Sequence, residues 1–272
     1  MPVIAAATQP SVPRDALRRL ALVGVGAGLL GGLLGVGGGV VIVPGLVWAL
    51  GLSQHTATGT SLLAIVPIAL VGAVTYAVAP GGAFDLPASA VLTVGSLVGA
   101  TLGARGGARL SERALRGAFA LFSGLLGARL VVPLGFGEGV DALALDVPTV
   151  VLLAVLGLAS GALAGLLGVG GSIIVIAVLA LAVDADQVLA QGVALAAVIP
   201  TVLVGAATHH RLGSLAPRPA VIVGAVGALA VLPGALVAFA VPSDVLRTGF
   251  GGFLLLVSAR ALRALKRSKI SS

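Results

Sequence analysis

Two short stretches of this chain combine residue types that can hold an anion without any charged side chain. Gly35-Val36-Gly37-Gly38-Gly39 and Gly168-Val169-Gly170-Gly171-Ser172 each lead into a short apolar run. Glycine adopts positive φ at no steric cost and leaves its N–H unshielded. A helix that starts directly afterwards adds orphan N–H donors and a partial positive charge. Together these make an anion site. The expected backbone donors are Gly37, Gly38 and Gly39 with Gly170, Gly171 and Ser172. Thr60, Ser61 and Gln191, near the heads of the segments that follow, add side-chain donors without adding charge. Pro67 and Pro200 lie mid-segment and predict helix kinks that free carbonyls near the site. Scattered small pairs such as Gly99 and Gly103 read as close helix packing instead.

Rival chemistries find little support. Neither cluster has the third glycine of a dinucleotide loop, and no Gly-Lys-Ser/Thr follows either one. The chain has no cysteine, which removes disulfides, thiolate metal sites and a Cys nucleophile. His209-His210-Arg211 offers two histidines with no third ligand, so no metal is expected. No Ser/His/Asp constellation appears, and no Asp or Glu lies deep in an apolar segment. The chain is therefore read as neither an enzyme nor a cofactor protein, and as lacking a carboxylate proton relay.

The elements that must position these residues are written in the composition. Apolar residues make up 58% of the 272, and 41 more are glycine. Charged residues make up 9%, against roughly 25% in a soluble domain. So few charges cannot cover a wet surface, which excludes a soluble enzyme or a nucleic-acid binder. The net charge of +7 then reads as loop topology. Arg14, Arg18 and Arg19 before the apolar run Leu20 to Leu34 resemble a secretory signal. No cleavage site interrupts that run and the same pattern recurs mid-chain, so it is read as part of a polytopic membrane protein.

The chain is internally duplicated. Gly35 falls on Gly168, an offset of 133, and at the same offset Gln54 falls on Gln187, Gly59 on Gly192 and Pro67 on Pro200. Towards the ends of the halves the offset drifts to 131, matching Leu115-Arg116, Phe119, Phe122 and Arg129 to Leu246-Arg247, Phe250, Phe253 and Arg260. The expected organisation is a cytoplasmic segment 1–19, membrane repeats 20–135 and 147–265, a linker 136–146 and a basic tail 266–272.

A spanning helix needs about 20 apolar residues. Three segments per half meet this: 55–78, 86–106 and 114–134, then 187–208, 218–240 and 245–264. The arms after the glycines, Val40 to Leu50 and Ile173 to Val183, are 11 residues each and too short to cross. Each glycine element is therefore either a broken spanning helix or a re-entrant hairpin. The charges favour the hairpin. It places the basic clusters around Arg18, Arg105, Arg211 and Arg263 on one side, where cytoplasmic loops collect Lys and Arg. Asp85, Glu138, Asp141, Asp146, Asp184 and Asp186 fall on the other side. Hairpins also give each half an odd number of crossings, so the repeats would be inverted. Pro148 to Leu167, long enough to span alone, speaks for the broken helix. The expected fold is all-α, with two inverted repeats, each a glycine-rich hairpin plus three transmembrane helices, and both termini cytoplasmic.

The halves open on Gly32-Leu33-Leu34-Gly35-Val36-Gly37-Gly38-Gly39 and Gly165-Leu166-Leu167-Gly168-Val169-Gly170-Gly171-Ser172, and the first continues through Val43-Pro44 to Gly59-Thr60-Ser61. These motifs resemble the TauE/SafE family of sulfite exporters, from about Arg19 to Arg263. The resemblance implies a permease moving a sulfur-containing anion such as sulfite, a sulfonate or thiosulfate across the cytoplasmic membrane. The second half departs from the pattern: Ala177 replaces Pro44, and Val193-Ala194 replace Thr60-Ser61. If those residues touch substrate, the site is asymmetric. The implied partners are the anion, the bilayer and a coupling proton or cation. A passive anion channel and a non-transporting membrane scaffold are the alternative readings.

Overall fold

The computed structural model describes residues 14–78, 85–106, 112–132, 140 and 143–270. Segment 1–13, most of the expected linker (with Glu138 and Asp141), and Arg109 lie outside the described residues. The described residues form ten helices: α1 Arg14–Leu34, α2 Gly39–Leu50, α3 Gln54–Val78, α4 Leu86–Gly106, α5 Glu112–Val131, α6 Val147–Leu167, α7 Ser172–Ala182, α8 Gln187–Arg211, α9 Pro217–Ala240 and α10 Ser243–Ile270. Among them α1, α3, α4, α6, α8, α9 and α10 are long and apolar enough to cross a membrane. The chain is a polytopic all-α membrane protein.

Helices start and stop where local chemistry says they should. Asp146 caps α6 by accepting the Thr149 N–H at 3.0 Å, and Asp186 caps α8 through Val188 N–H at 2.8 Å. The hydrogen bonds from Thr149 hold the Asp146 carboxyl below the usual carboxylate range. Gly51 and Gly168 end α2 and α6 in the left-handed conformation.

The first arm of each glycine element is a full helix of 21 residues, and only the second arm is short, at 12 residues in α2 and 11 in α7. At 1.5 Å per residue the short arms are about 17 Å long. They fold back along the first arm. A Cβ on Gly38 would lie 2.6 Å from the Ala27 carbonyl oxygen, and one on Gly45 would lie 2.7 Å from Val23. At the open end the Arg19 guanidinium sits 5.5 Å from the Trp48 ring centroid. In the second half Gly171 meets the Ser160 carbonyl. Val140, ahead of α6, pairs with the turn after α7: its N–H donates to Asp184 O at 2.9 Å and its carbonyl accepts from Asp186 N at 3.0 Å. Both elements are antiparallel hairpins, not straight helices with a break.

The halves exchange partners. α1 packs on α9 of the other half, and α6 packs on α4. Gly24, Gly28 and Gly32 meet the carbonyls of Val223, Gly227 and Val231 in rising order, so α1 and α9 run parallel. Gly95, Gly99 and Gly103 likewise meet Ala154, Leu158 and Ala162, so α4 and α6 run parallel. α3 and α8 are antiparallel, with Gly72 against Leu195 and Gly205 against Leu62. α5 and α10 are antiparallel too, through Gly127 against Leu254 and Gly251 against Leu130. In lipid, helix association rests on close packing rather than on a hydrophobic drive, and between α1 and α9 and between α4 and α6 backbone carbonyls sit where a Cβ would stand.

These directions place the start of α1 and the ends of α4, α8 and α10 at one end of the bundle, bringing Arg18, Arg19, Arg105, Arg211, Arg260 and Arg263 together. The opposite end carries Asp85, Asp146, Asp184, Asp186 and Asp244. Two arginines, Arg129 and Arg247, share that acidic end. Arg247 is 4% exposed and donates to the Ala185 carbonyl at 2.9 Å and to Asp184 at 3.5 Å.

Candidate functional site

The hairpin tips are built from glycines that no other residue would replace cheaply. Gly37 and Gly38 have φ of 64° and 79°, Gly170 and Gly171 of 86° and 80°. An L side chain in that region costs about 1–2 kcal/mol. Gly38 and Gly171 are the N-caps of α2 and α7, and neither provides a side-chain cap to the first turn. The N–H groups of Val41 and Ile174 bond the cap carbonyls of Gly38 and Gly171, at 3.0 and 3.2 Å, while those of Gly39, Val40, Ser172 and Ile173 precede the first intrahelical acceptor.

The two tips touch. A Cβ on Gly39 would lie 2.7 Å from Val169 Cα, and Gly37 and Gly170 both pack against Ile65, at 3.1 and 3.6 Å by the same measure. The half-length helices α2 and α7 thus begin side by side inside the bundle. A groove of about 790 Å³ leads to this junction, bounded by Trp48 and Arg260 at the basic end and by Gly39, Val169 and Leu30 at its depth. Its walls are mostly apolar, from Val40, Pro44, Phe253 and Val257.

The sequence-predicted side chains divide. Ser61 Oγ donates to the Gly168 carbonyl at 2.9 Å and so bears directly on the second tip. Gln191 lies against the first tip: Gly35 packs on its Cβ, its Nε2 stands 3.4 Å from Leu33 O, and its Oε1 accepts from Tyr76 Oη at 2.5 Å. Thr60 is buried elsewhere, donating to Thr56 O at 2.6 Å and accepting the Ala216 N–H at 3.0 Å, where it fastens the α8–α9 loop. Ser172 is 1% exposed and its Oγ has no hydrogen-bond partner. α3 and α8 continue through Pro67 and Pro200. Each proline withholds the donor that Leu63 O and Ala196 O would otherwise meet.

Sequence reasoning missed three hydroxyls. Ser96 on α4, Ser160 on α6 and Thr201 on α8 converge with Gly170, Gly171 and Ser172 on a void of about 10 Å³, room for one water. Ser96 Oγ and Thr201 Oγ1 are 2.5 Å apart, while each also reaches a carbonyl of its own helix, Thr93 O at 2.9 Å and Ala197 O at 2.7 Å. Ser160 donates to Gly157 O at 3.0 Å. Nothing in the sequence set them apart, because α4 also carries Ser89, Thr93 and Thr101, α6 carries Thr149 and α8 carries Thr208.

Tyr76 and His209 were also underread. They are repeat equivalents at the offset of 133, and they reach equivalent carbonyls. Tyr76 Oη lies 2.8 Å from Gly32 O, and His209 Nε2 lies 3.1 Å from Gly165 O. Each pins the first arm of its neighbouring hairpin three residues before the glycine turn. Tyr76→Phe leaves the Gly32 carbonyl and the Gln191 amide short of a buried partner, at a cost of about 1–3 kcal/mol. The expected outcome is a lower melting temperature in detergent with unchanged helicity; an unchanged midpoint would show that the hydroxyl carries no load.

The family model for sulfite exporter TauE/SafE matches residues 3–130 and 153–272. A curated relative, "Probable membrane transporter protein YdhB" of Bacillus subtilis (strain 168), is 34% identical over 87 residues, 32% of this chain and 35% of its own length. The match therefore spans about a third of that relative. No solved structure matches.

Proposed function

The chain belongs to the sulfite exporter TauE/SafE family, and on that premise we propose that it is a permease for a small, sulfur-containing oxyanion in the cytoplasmic membrane. One observation supports the reading above the others. Two half-length helices start beside each other at bundle depth, with Gly39 against Val169 and no side-chain cap on either first turn. Half-helix N-termini aimed at a shared midplane site are a recurring device for anionic substrates. Gly37, Gly38 and Gly39 with Gly170, Gly171 and Ser172 supply the backbone donors, and Ser61 and Gln191 hold the tips in place. Thr60 acts from further away, through the α8–α9 loop.

In this reading the halves are inverted repeats, consistent with the antiparallel pairing of α3 with α8 and α5 with α10. Transport rocks one half against the other. The basic end, which carries the start of α1 and the end of α10, is cytoplasmic by the Lys/Arg rule. The small void beside α7 describes a closed state, and an oxyanion larger than water enters only when a hairpin tip moves.

Ligand binding to the folded chain alone tests this. A ligand held only by the folded state stabilises it, by about 2.7 kcal/mol at a hundredfold excess over Kd. Sulfite is expected to raise the melting temperature in detergent saturably, above chloride at equal ionic strength. No shift with sulfite, methanesulfonate or thiosulfate counts against the proposal.

A further inference from the structure

The two glycine tips are equivalent in backbone and different in chemistry. The void beside the second tip is lined by Ser96, Ser160, Ser172 and Thr201. The packing fixes the corresponding positions in the first half. Gly28 faces Gly227 as Gly161 faces Ser96, so Gly227 stands for Ser96. The offset of 133 places Ala27, Gly39 and Ile68 at the positions of Ser160, Ser172 and Thr201. All four hydroxyls are lost there. Ile68 fills the space, with its side chain 2.5 Å from a Cβ position on Gly227 and 3.4 Å from one on Gly31.

Two independent features mark the second tip as a ligand site. The void is lined by the first residues of α7, whose N-terminus has no side-chain cap, and by Ser172, whose buried Oγ has no hydrogen-bond partner. No residue lining the void is ionisable. Its positive potential is that of the α7 N-terminus, roughly half an elementary charge, with about as much again from the α2 N-terminus that begins beside it. A dianion placed there would keep about half of its charge uncompensated in a medium of low dielectric, where unpaired charge is expensive. A monoanion is nearly matched. Hydroxyls accept as well as donate, so the Ser96–Thr201 pair can accept a hydrogen bond from the O–H of an acid oxyanion.

Resting on the permease reading above, we infer that the substrate site is this single asymmetric pocket and that it takes oxyanions as monoanions, hydrogen sulfite rather than sulfite. The first tip abuts this pocket through Gly39 but has no hydroxyl pocket of its own, since Ile68 fills the equivalent space and the groove that reaches Gly39 is apolar.

The test is binding to the full chain in detergent, read as saturable thermal stabilisation at matched ionic strength. Methanesulfonate and nitrate, monoanions at every pH used, are expected to stabilise independently of pH. Sulfate and thiosulfate are expected to do no more than chloride. The apparent affinity for sulfite should weaken about tenfold per pH unit above its second ionisation. Sulfate or thiosulfate binding as tightly as methanesulfonate overturns the monoanion inference and leaves the permease reading intact. Stabilisation by none of these anions overturns both.

Two variants locate the pocket. Ser96→Gly with Thr201→Ile copies the first half into the second and should weaken binding at least tenfold. Ser172→Gly removes one hydroxyl, puts in the residue found at the equivalent position, and should weaken binding severalfold with the melting temperature in the absence of anion little changed. Wild-type affinity in a folded Ser172→Gly chain places the anion elsewhere and overturns the assignment.

Discussion

Gly171→Val is expected to abolish transport and to lower the melting temperature sharply, because it strains the conformation that turns α6 into α7. Its φ is 80°, where a β-branched side chain is strained, and its Cβ would overlap the Ser160 carbonyl oxygen. The dihedral strain costs about 1–2 kcal/mol and the overlap about 1–3 kcal/mol more. Gly38→Val meets the same two penalties at Ala27 O, 2.6 Å away. Gly51→Ala is the control. Its φ of 65° is similar, but nothing lies within 4 Å, so it pays the dihedral cost alone. Melting midpoints ordered Gly51→Ala above Gly171→Val would support the hairpin turn. Equal midpoints would mean that α7 does not lean on Ser160.

A second large effect is expected at Gly99→Val, where α4 crosses α6. The new side chain would overlap Leu158 O, and Gly95 and Gly103 meet carbonyls one turn away on either side. The opposing helix presents Gly157, Gly161 and Gly165 to α4 in the same manner. Separating the helices by the width of one side chain therefore breaks a row of contacts, and in lipid those contacts are the main force of association. The variant should lose its monodisperse peak in size-exclusion chromatography. Gly106→Ala, on the same helix with open space around it, should be neutral or stabilising by up to about 1 kcal/mol. A monodisperse, fully stable Gly99→Val protein would contradict the crossing.

What could be read from sequence was local or repeated. The duplicated Gly-Val-Gly-Gly runs, the 11-residue arms after them and the sided arginines all lie within short windows, and each corresponds to an element of the fold. The unequal arms were legible as well, since Pro148 to Leu167 is long enough to span while the arms after the glycines are not: α1 and α6 are full-length helices, and only the returning arms are short. The hydroxyl pocket could not be read this way. Ser96, Ser160, Ser172 and Thr201 come from α4, α6, α7 and α8, and they meet because α6 packs on a helix of the other half. No spacing rule anticipates that exchange. Thr60 shows the converse. It sits in the Gly-Thr-Ser motif, yet its hydroxyl is spent on Ala216, 156 positions away. Tyr76 and His209 differ in residue type, which hid their equivalence until both were seen on the carbonyls of Gly32 and Gly165.

Uptake of sulfite by proteoliposomes, set against protein-free liposomes and measured with and without an imposed pH gradient, tests the central claim most directly. The account predicts saturable uptake that follows the hydrogen sulfite concentration, responds to the gradient and is lost in Ser96→Gly/Thr201→Ile. Uptake no faster than in protein-free liposomes, from protein shown to be folded and inserted, would contradict it.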